Sequence, residues 1–114
     1  METIKSYTDI AQSRRLAEIL PLESADMCYP LPCEDGDKPL LEQGGFGSTP
    51  CWSVAALLSV LPEGIIENYY APNLQKENGK YSIAYGNDGL LCIADNPVDA
   101  CYEMVLKLHK LNLL

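Results

Sequence analysis

The chain has 114 residues, 47% hydrophobic and 21% charged, a composition that predicts a single globular domain over residues 1–114 and excludes wholesale disorder. Sixteen acidic residues against eight basic ones give a net charge of −8, so we expect no direct nucleic-acid binding and no attraction to an anionic membrane. Residues 1–20 lack a secretory signal, and the five cysteines therefore predict free thiols in a cytoplasmic protein.

The first predicted element is a helix over residues 9–20. Thr8 is a suitable N-cap, because its hydroxyl can accept a hydrogen bond from one of the free N–H groups of the first turn. Asp9 suits the positive end of the helix dipole, and Pro21 ends the helical stretch.

Residues 21–49 predict a long irregular loop, because prolines, glycines and acidic side chains interrupt any regular pattern. A short strand near Leu40 and Leu41 is the one regular element that this stretch suggests. A loop of this length in a small domain is either functional or mobile. It contains an acidic group, formed by Glu34, Asp35 and Asp37.

A second helix is predicted over residues 50–61. Thr49 would be its N-cap and Pro50 its first residue, where the missing N–H of proline has no cost. Ser53 and Ser59 are the only polar residues of this stretch, and a helix that is apolar on nearly all sides is usually buried. We therefore expect the central helix of the core here.

The chain after this helix predicts a three-stranded antiparallel meander. In one strand, larger side chains alternate with small ones at Tyr81, Ile83 and Tyr85, as one face of a sheet requires. Asn78-Gly79 before that strand predicts a type I′ hairpin turn, because both residues accept positive φ angles. Residues 65–70 could add a fourth strand. The second turn and the following strand are residues 87–89 and 90–94.

The last element is a helix with a clear start: Asn96 is the N-cap, Pro97 the first residue, and Asp99 lies in the first turn. Its predicted packed face consists of Val98, Cys101, Tyr102, Val105, Leu108 and His109. Taken together, the elements predict an α+β fold in which two or three helices cover one face of the sheet.

Two stretches resemble small proteins encoded by bacterial prophages and mobile elements. The first runs from Pro50-Cys51-Trp52-Ser53 to Leu61-Pro62, and the second opens with Asn96-Pro97-Val98-Asp99-Ala100. In that group a Trp-Ser helix, a Tyr-containing hairpin and a terminal Asn-Pro-x-Asp-Ala helix follow in the same order. The group has no assigned activity, so the resemblance implies a genetic context rather than a mechanism.

Cys51 is the sharpest candidate for catalysis. It follows a glycine-rich stretch and is predicted at a helix N-terminus, where the dipole lowers the pKa of a thiol. Gln43 resembles the oxyanion donor of papain-type hydrolases, and His109 would have to be the base. The spacing from Gln43 to Cys51 and the helical setting of His109 both depart from that pattern. A cysteine hydrolase is therefore an alternative, and a protein without enzymatic activity is preferred.

A zinc site is not expected. Structural zinc usually takes two close pairs of ligands, and Cys28 with Cys33 is the one close pair in the sequence. Cys92 and Cys101 lie on predicted packed faces, where free cysteines behave as small apolar residues. We expect neither a metal nor a cofactor.

The preferred interpretation is an interaction protein, an accessory factor of a prophage or mobile element. It would bind a protein partner, basic because of the acidic charge, through the 21–49 loop and the adjoining sheet edge. Aromatic side chains often dominate such interfaces. The contact residues predicted on this ground are Phe46, Trp52, Tyr69 and Tyr70. Two other possibilities stay open: an acidic DNA mimic that inhibits a nucleic-acid-binding protein, and a domain that binds a small molecule.

Overall fold

A computed structural model describes residues 5–29, 38–40, 48–63, 71–86 and 90–114. The elements in chain order are α1 (Ile10–Ala17), a 3₁₀ turn (Leu22–Ser24), β1 (Met27–Tyr29), β2 (Thr49–Cys51), α2 (Val54–Val60), β3 (Pro72–Glu77), β4 (Lys80–Tyr85), β5 (Leu90–Ala94) and α3 (Pro97–Lys110). The fold is α+β with a three-stranded antiparallel meander, which confirms the predicted fold class. The suggested fourth strand at 65–70 and the second turn at 87–89 lie outside the described residues.

The N-cap of α1 is Asp9, and the prediction of Thr8 was wrong. The Asp9 carboxylate accepts a hydrogen bond from the Gln12 N–H at 2.8 Å, and the Gln12 side chain accepts one from the Asp9 N–H at 3.1 Å. This reciprocal pair is a capping box. Thr8 is instead fully buried, and its hydroxyl accepts a hydrogen bond from the backbone N–H of Trp52 at 3.1 Å.

Helix α2 begins at Val54, four residues later than predicted, with Ser53 as its N-cap. The Ser53 hydroxyl accepts the Ala56 N–H at 3.2 Å, and Asp26 accepts the backbone N–H of Ser53 at 3.0 Å. The preceding residues 49–51 are extended in β2 and pair with β1. Pairing with a distant segment therefore overrides the local Thr-Pro start signal.

The 21–49 segment is more regular than predicted wherever it is described. All three residues of β1 are buried, and Cys28 of this strand pairs with β2 on one side. On the other side Cys28 and Leu40 exchange two backbone hydrogen bonds of 3.0 and 2.6 Å. At Leu40 the structure has an isolated bridge rather than a strand, and Leu41 and the acidic residues at 34–37 lie outside the described residues.

The meander has the order β3-β4-β5. Asn78 and Gly79 form the turn between β3 and β4 with φ angles of 53° and 77°, as a type I′ turn requires. Glu77 pairs with Lys80 directly across this turn, and Ile83 in the middle of β4 pairs with Cys92 of β5.

Helix α3 packs on the inner face of β4 and β5, and α2 packs on α3. Helix α3 begins as predicted, because the Asn96 side chain accepts a hydrogen bond from the Asp99 N–H at 2.8 Å. The main core joins the three helices to this face of the sheet, and its largest fully buried side chains include Leu16, Trp52, Leu57, Ile83, Tyr85, Met104 and Leu108. Within the described residues, no helix combines the length and the apolar character needed to cross a bilayer.

Candidate functional site

The Cys51 thiol has neither the position nor the exposure that a nucleophile needs. It ends strand β2 rather than opening a helix, and Cys51 is 0% exposed. Its sulfur donates to the Thr8 carbonyl at 3.4 Å and accepts from the Thr8 hydroxyl at 3.6 Å. Burial raises the pKa of Cys51, whereas a reactive thiolate requires a lowered one. The two features on which the hydrolase alternative depended are therefore missing.

The other residues of the hydrolase alternative are His109 and Gln43. His109 is exposed in the last turn of α3, so the prediction that it belongs to the packed face was wrong. The buried residues of α3 end at Leu108, and His109 lies directly after them. Gln43 lies outside the described residues.

We expect the Cys51 thiol to be labelled at least about tenfold more slowly than Cys92 by a thiol-specific reagent at neutral pH, because a fully buried thiol reacts only after the structure opens. Cys92 lies on β5 and is partly exposed. Mass-spectrometric mapping of the labelled peptides over time measures both rates. Fast labelling of Cys51 in the native protein would revive the hydrolase alternative.

The described cysteines also lack a metal-binding arrangement. Within the described residues, no group of three or more His, Cys, Asp and Glu side chains lies close enough together to hold a metal ion. Cys28 is buried in β1, and burial raises the pKa of Cys101 in α3 to about 11. Cys33 lies outside the described residues.

Trp52 is a core residue and is not available to a partner. Its side chain is 0% exposed, and its indole Nε1–H donates to the Ser24 hydroxyl at 3.0 Å. The expectation that it is a half-buried contact residue was wrong, because the indole packs in the main core directly after β2. The other predicted contact residues, Phe46, Tyr69 and Tyr70, lie outside the described residues.

A different surface is the outer edge of β5, where backbone groups face away from β4. Hydrogen-bonded and non-hydrogen-bonded pairs alternate along an antiparallel ladder, and the two-residue turn makes Glu77–Lys80 a hydrogen-bonded pair. Counting along β4, Ile83 therefore bonds to Cys92. It follows that Leu91 and Ile93 direct their N–H and C=O groups away from β4. Among the described residues, β5 has no strand neighbour other than β4.

The side chains of this edge are apolar and exposed. Leu91 is 48% exposed and Ile93 is 60% exposed, both on the face of the sheet opposite α3. The other edge strand, β3, is protected against pairing with another chain, because its exposed side chains are polar or charged, for example Gln75 and Glu77. Proteins usually blunt their edge strands in this way, and an apolar edge left open is a template for pairing with another chain.

An open groove of about 620 Å³ lies between β5 and the first half of α3. We call it the β5 groove. Its β5 wall contains Cys92, Ile93 and Ala94, and its acidic residues are Asp95 after the strand with Asp99 and Glu103 on α3. Gln12 of α1 and Lys80 of β4 complete it. Its volume is within the range of about 300–1,000 Å³ that is typical of ligand sites.

The acidic residues of the β5 groove differ in how they are paired. Asp99 accepts hydrogen bonds from Lys5 and Gln12, both at 2.8 Å. Burial alone would raise the pKa of Asp99, but the hydrogen bonds from Lys5, Gln12 and Asn96 lower it overall. Asp95 forms an exposed salt bridge with Lys80. Glu103 is exposed, so the groove has an anionic wall on its α3 side.

Comparisons of the chain with protein-family models, with curated proteins and with solved structures gave no match.

Proposed function

We propose that this protein is a binding module that takes up an extended segment of a basic protein partner as an additional strand beside β5. The observation that carries the proposal is the edge of β5 that the described residues leave open, where Leu91 and Ile93 combine outward-facing backbone groups with exposed apolar side chains. Strand addition uses such an edge directly, since main-chain hydrogen bonds provide affinity and alternate side chains provide specificity.

The shape of the site favours an extended peptide over a small molecule. Sites for small molecules are concave and bury most of the ligand surface, whereas the β5 groove is open beside the last three residues of β5. The five residues of β5 span about 17 Å at the usual rise per residue. An added strand of similar length would cover the apolar edge and reach the groove beside residues 92–95.

Charge favours a basic partner over a second copy of the chain. Two copies joined through β5 would bring together two chains that each carry a net charge of −8, and would place their acidic grooves side by side. Like charges across an interface are costly, while opposite potentials speed the encounter of two proteins. A basic segment neutralises Glu103 and adds to the total electrostatic attraction.

The biological context belongs to the same proposal. The resemblance of residues 50–62 and 96–104 to proteins of prophages and mobile elements supports an accessory protein that acts on a host or phage protein. The acidic DNA-mimic alternative stays a prediction, because its loop acids at 34–37 lie outside the described residues. In the β5 groove, two of the three carboxylates are already paired with lysines.

The proposal is tested by selecting binders from a yeast-displayed library of random peptides of about ten residues and mapping them by amide hydrogen exchange. In the free protein we expect the N–H groups of Cys92 and Ala94 to be protected by the β4 ladder, and those of Leu91 and Ile93 to exchange freely. A selected peptide should protect Leu91 and Ile93 by at least about tenfold.

Two outcomes would contradict the proposal. If the library yields no binder, or if every binder leaves the Leu91 and Ile93 amides exchanging freely, then no strand is added to this edge. Sedimentation of the free protein tests the second-copy alternative. A dimer in which Leu91 and Ile93 are already protected would assign the edge to self-association.

A further inference from the structure

The two faces of a strand added beside β5 would meet different surroundings. Directly opposite residues of paired strands share a face of the sheet. Partner residues opposite Leu91 and Ile93 would therefore lie on the outer face, beside two exposed apolar side chains. The intervening partner residues would point to the inner face, where α3 forms the wall of the β5 groove.

On the inner face, α3 contributes two carboxylates to the groove, and their spacing suits a strand. Asp99 and Glu103 are four residues apart on α3, which corresponds to a rise of about 6 Å. Alternate residues of an extended strand are about 6.8 Å apart. Successive inward-facing side chains can thus meet successive carboxylates. Because Asp99 is already held by Lys5 and Gln12, the exposed Glu103 is the stronger attraction for a new cation.

We infer that the β5 groove selects segments in which apolar and basic residues alternate, with the apolar residues beside Leu91 and Ile93 and the basic residues facing Glu103 and Asp99. The inference rests on the proposed function, because it requires an added strand. It specifies the partner segment by the alternation of its apolar and basic residues, in addition to its net charge. A segment of the same composition without alternation cannot satisfy both faces at once.

The test compares three synthetic peptides of about eight residues at one ionic strength. In the first, lysine and valine alternate; in the second, the same residues form a lysine block and a valine block; in the third, glutamate and valine alternate. We expect the first peptide to bind at least about tenfold more tightly than the second, and the third not to bind measurably. Fluorescence anisotropy of labelled peptides measures the three Kd values.

A charge reversal assigns the selectivity to one residue. Glu103→Lys should weaken binding of the alternating lysine peptide by about tenfold and should create binding of the alternating glutamate peptide. The matched control is Glu63→Lys, which makes the same charge change at an exposed position outside the groove. It should leave the order of the three peptides unchanged.

The outcomes separate this inference from the function on which it rests. Equal binding of the alternating and block peptides overturns the alternation, and an unchanged preference in Glu103→Lys overturns the assignment to the anionic wall. If neither synthetic lysine peptide binds while library peptides of another pattern protect the Leu91 and Ile93 amides, the inference is wrong and strand addition stands. If no peptide of any kind protects those amides, both are wrong.

Discussion

Replacing Trp52 with alanine should lower the free energy of unfolding by about 3–5 kcal/mol, the usual cost of truncating a large buried aromatic side chain. Trp52 is 0% exposed and lies in the main core with Leu16, Leu57 and Met104. Domains of this size have a total stability of about 5–15 kcal/mol. The variant is therefore expected to be barely folded at room temperature. Urea unfolding followed by far-UV circular dichroism measures the change without relying on tryptophan fluorescence.

Trp52→Phe separates the hydrogen bond from the apolar contacts. It keeps most of the buried ring surface but removes the indole N–H that donates to Ser24. The expected loss is smaller, about 1–2 kcal/mol. Ser24→Ala is the complementary variant, because it leaves the indole N–H without this acceptor. If Trp52→Ala costs less than about 1 kcal/mol, the indole is not a core residue and its role as a contact residue must be reconsidered.

The elements that the sequence predicts well are those specified by neighbouring residues. The start of α3 depends on Asn96 and Pro97, and the β3–β4 hairpin depends on Asn78 and Gly79. Each signal acts within a few residues through a cap or a required φ angle. No distant contact is needed to form them, so the structure reproduces them where they were predicted.

The start of α2 shows where local signals fail. Thr49-Pro50 and Ser53 are both acceptable helix starts, and the sequence alone gives no reason to prefer the second. The choice is made by Met27, which pairs with Cys51 from a segment more than twenty residues earlier in the chain. A strand as short as β1 has too few residues for a visible alternation, so its pairing could not be predicted.

The candidate site was missed for a related reason. The apolar run at residues 90–94 correctly predicts a strand, but an apolar run does not distinguish a central strand from an edge strand. That β5 is an edge follows from the order β3-β4-β5, which is a property of the tertiary fold. The one signal in the sequence was that Leu91 and Ile93 continue the apolar run where a half-buried strand would have polar residues.

Ile93→Pro should weaken binding of a peptide strand by at least about tenfold, or about 1.4 kcal/mol. The substitution removes an N–H that points away from β4 and replaces part of an exposed apolar side chain. Ile93→Thr is the first control, because it keeps the N–H and loses only apolar surface, so its effect should be smaller. Leu22→Thr is the second, because Leu22 is 59% exposed, as Ile93 is 60% exposed, but lies outside the groove. Peptide anisotropy measures all three variants.

A second proline variant decides whether the loss reflects the missing edge donor or a damaged sheet. Proline is tolerated in an edge strand where the N–H faces solvent, so Ile93→Pro should lower the free energy of unfolding by only about 1 kcal/mol. Cys92→Pro removes an N–H that bonds to Ile83 in the ladder and should cost about 3 kcal/mol or more. Greater destabilisation by Ile93→Pro than by Cys92→Pro would mean that the ladder alternates in the opposite sense. The N–H groups that face away from β4 would then belong to Leu90, Cys92 and Ala94. The exposed apolar side chains of Leu91 and Ile93 would lie on residues whose backbone groups are already bonded to β4.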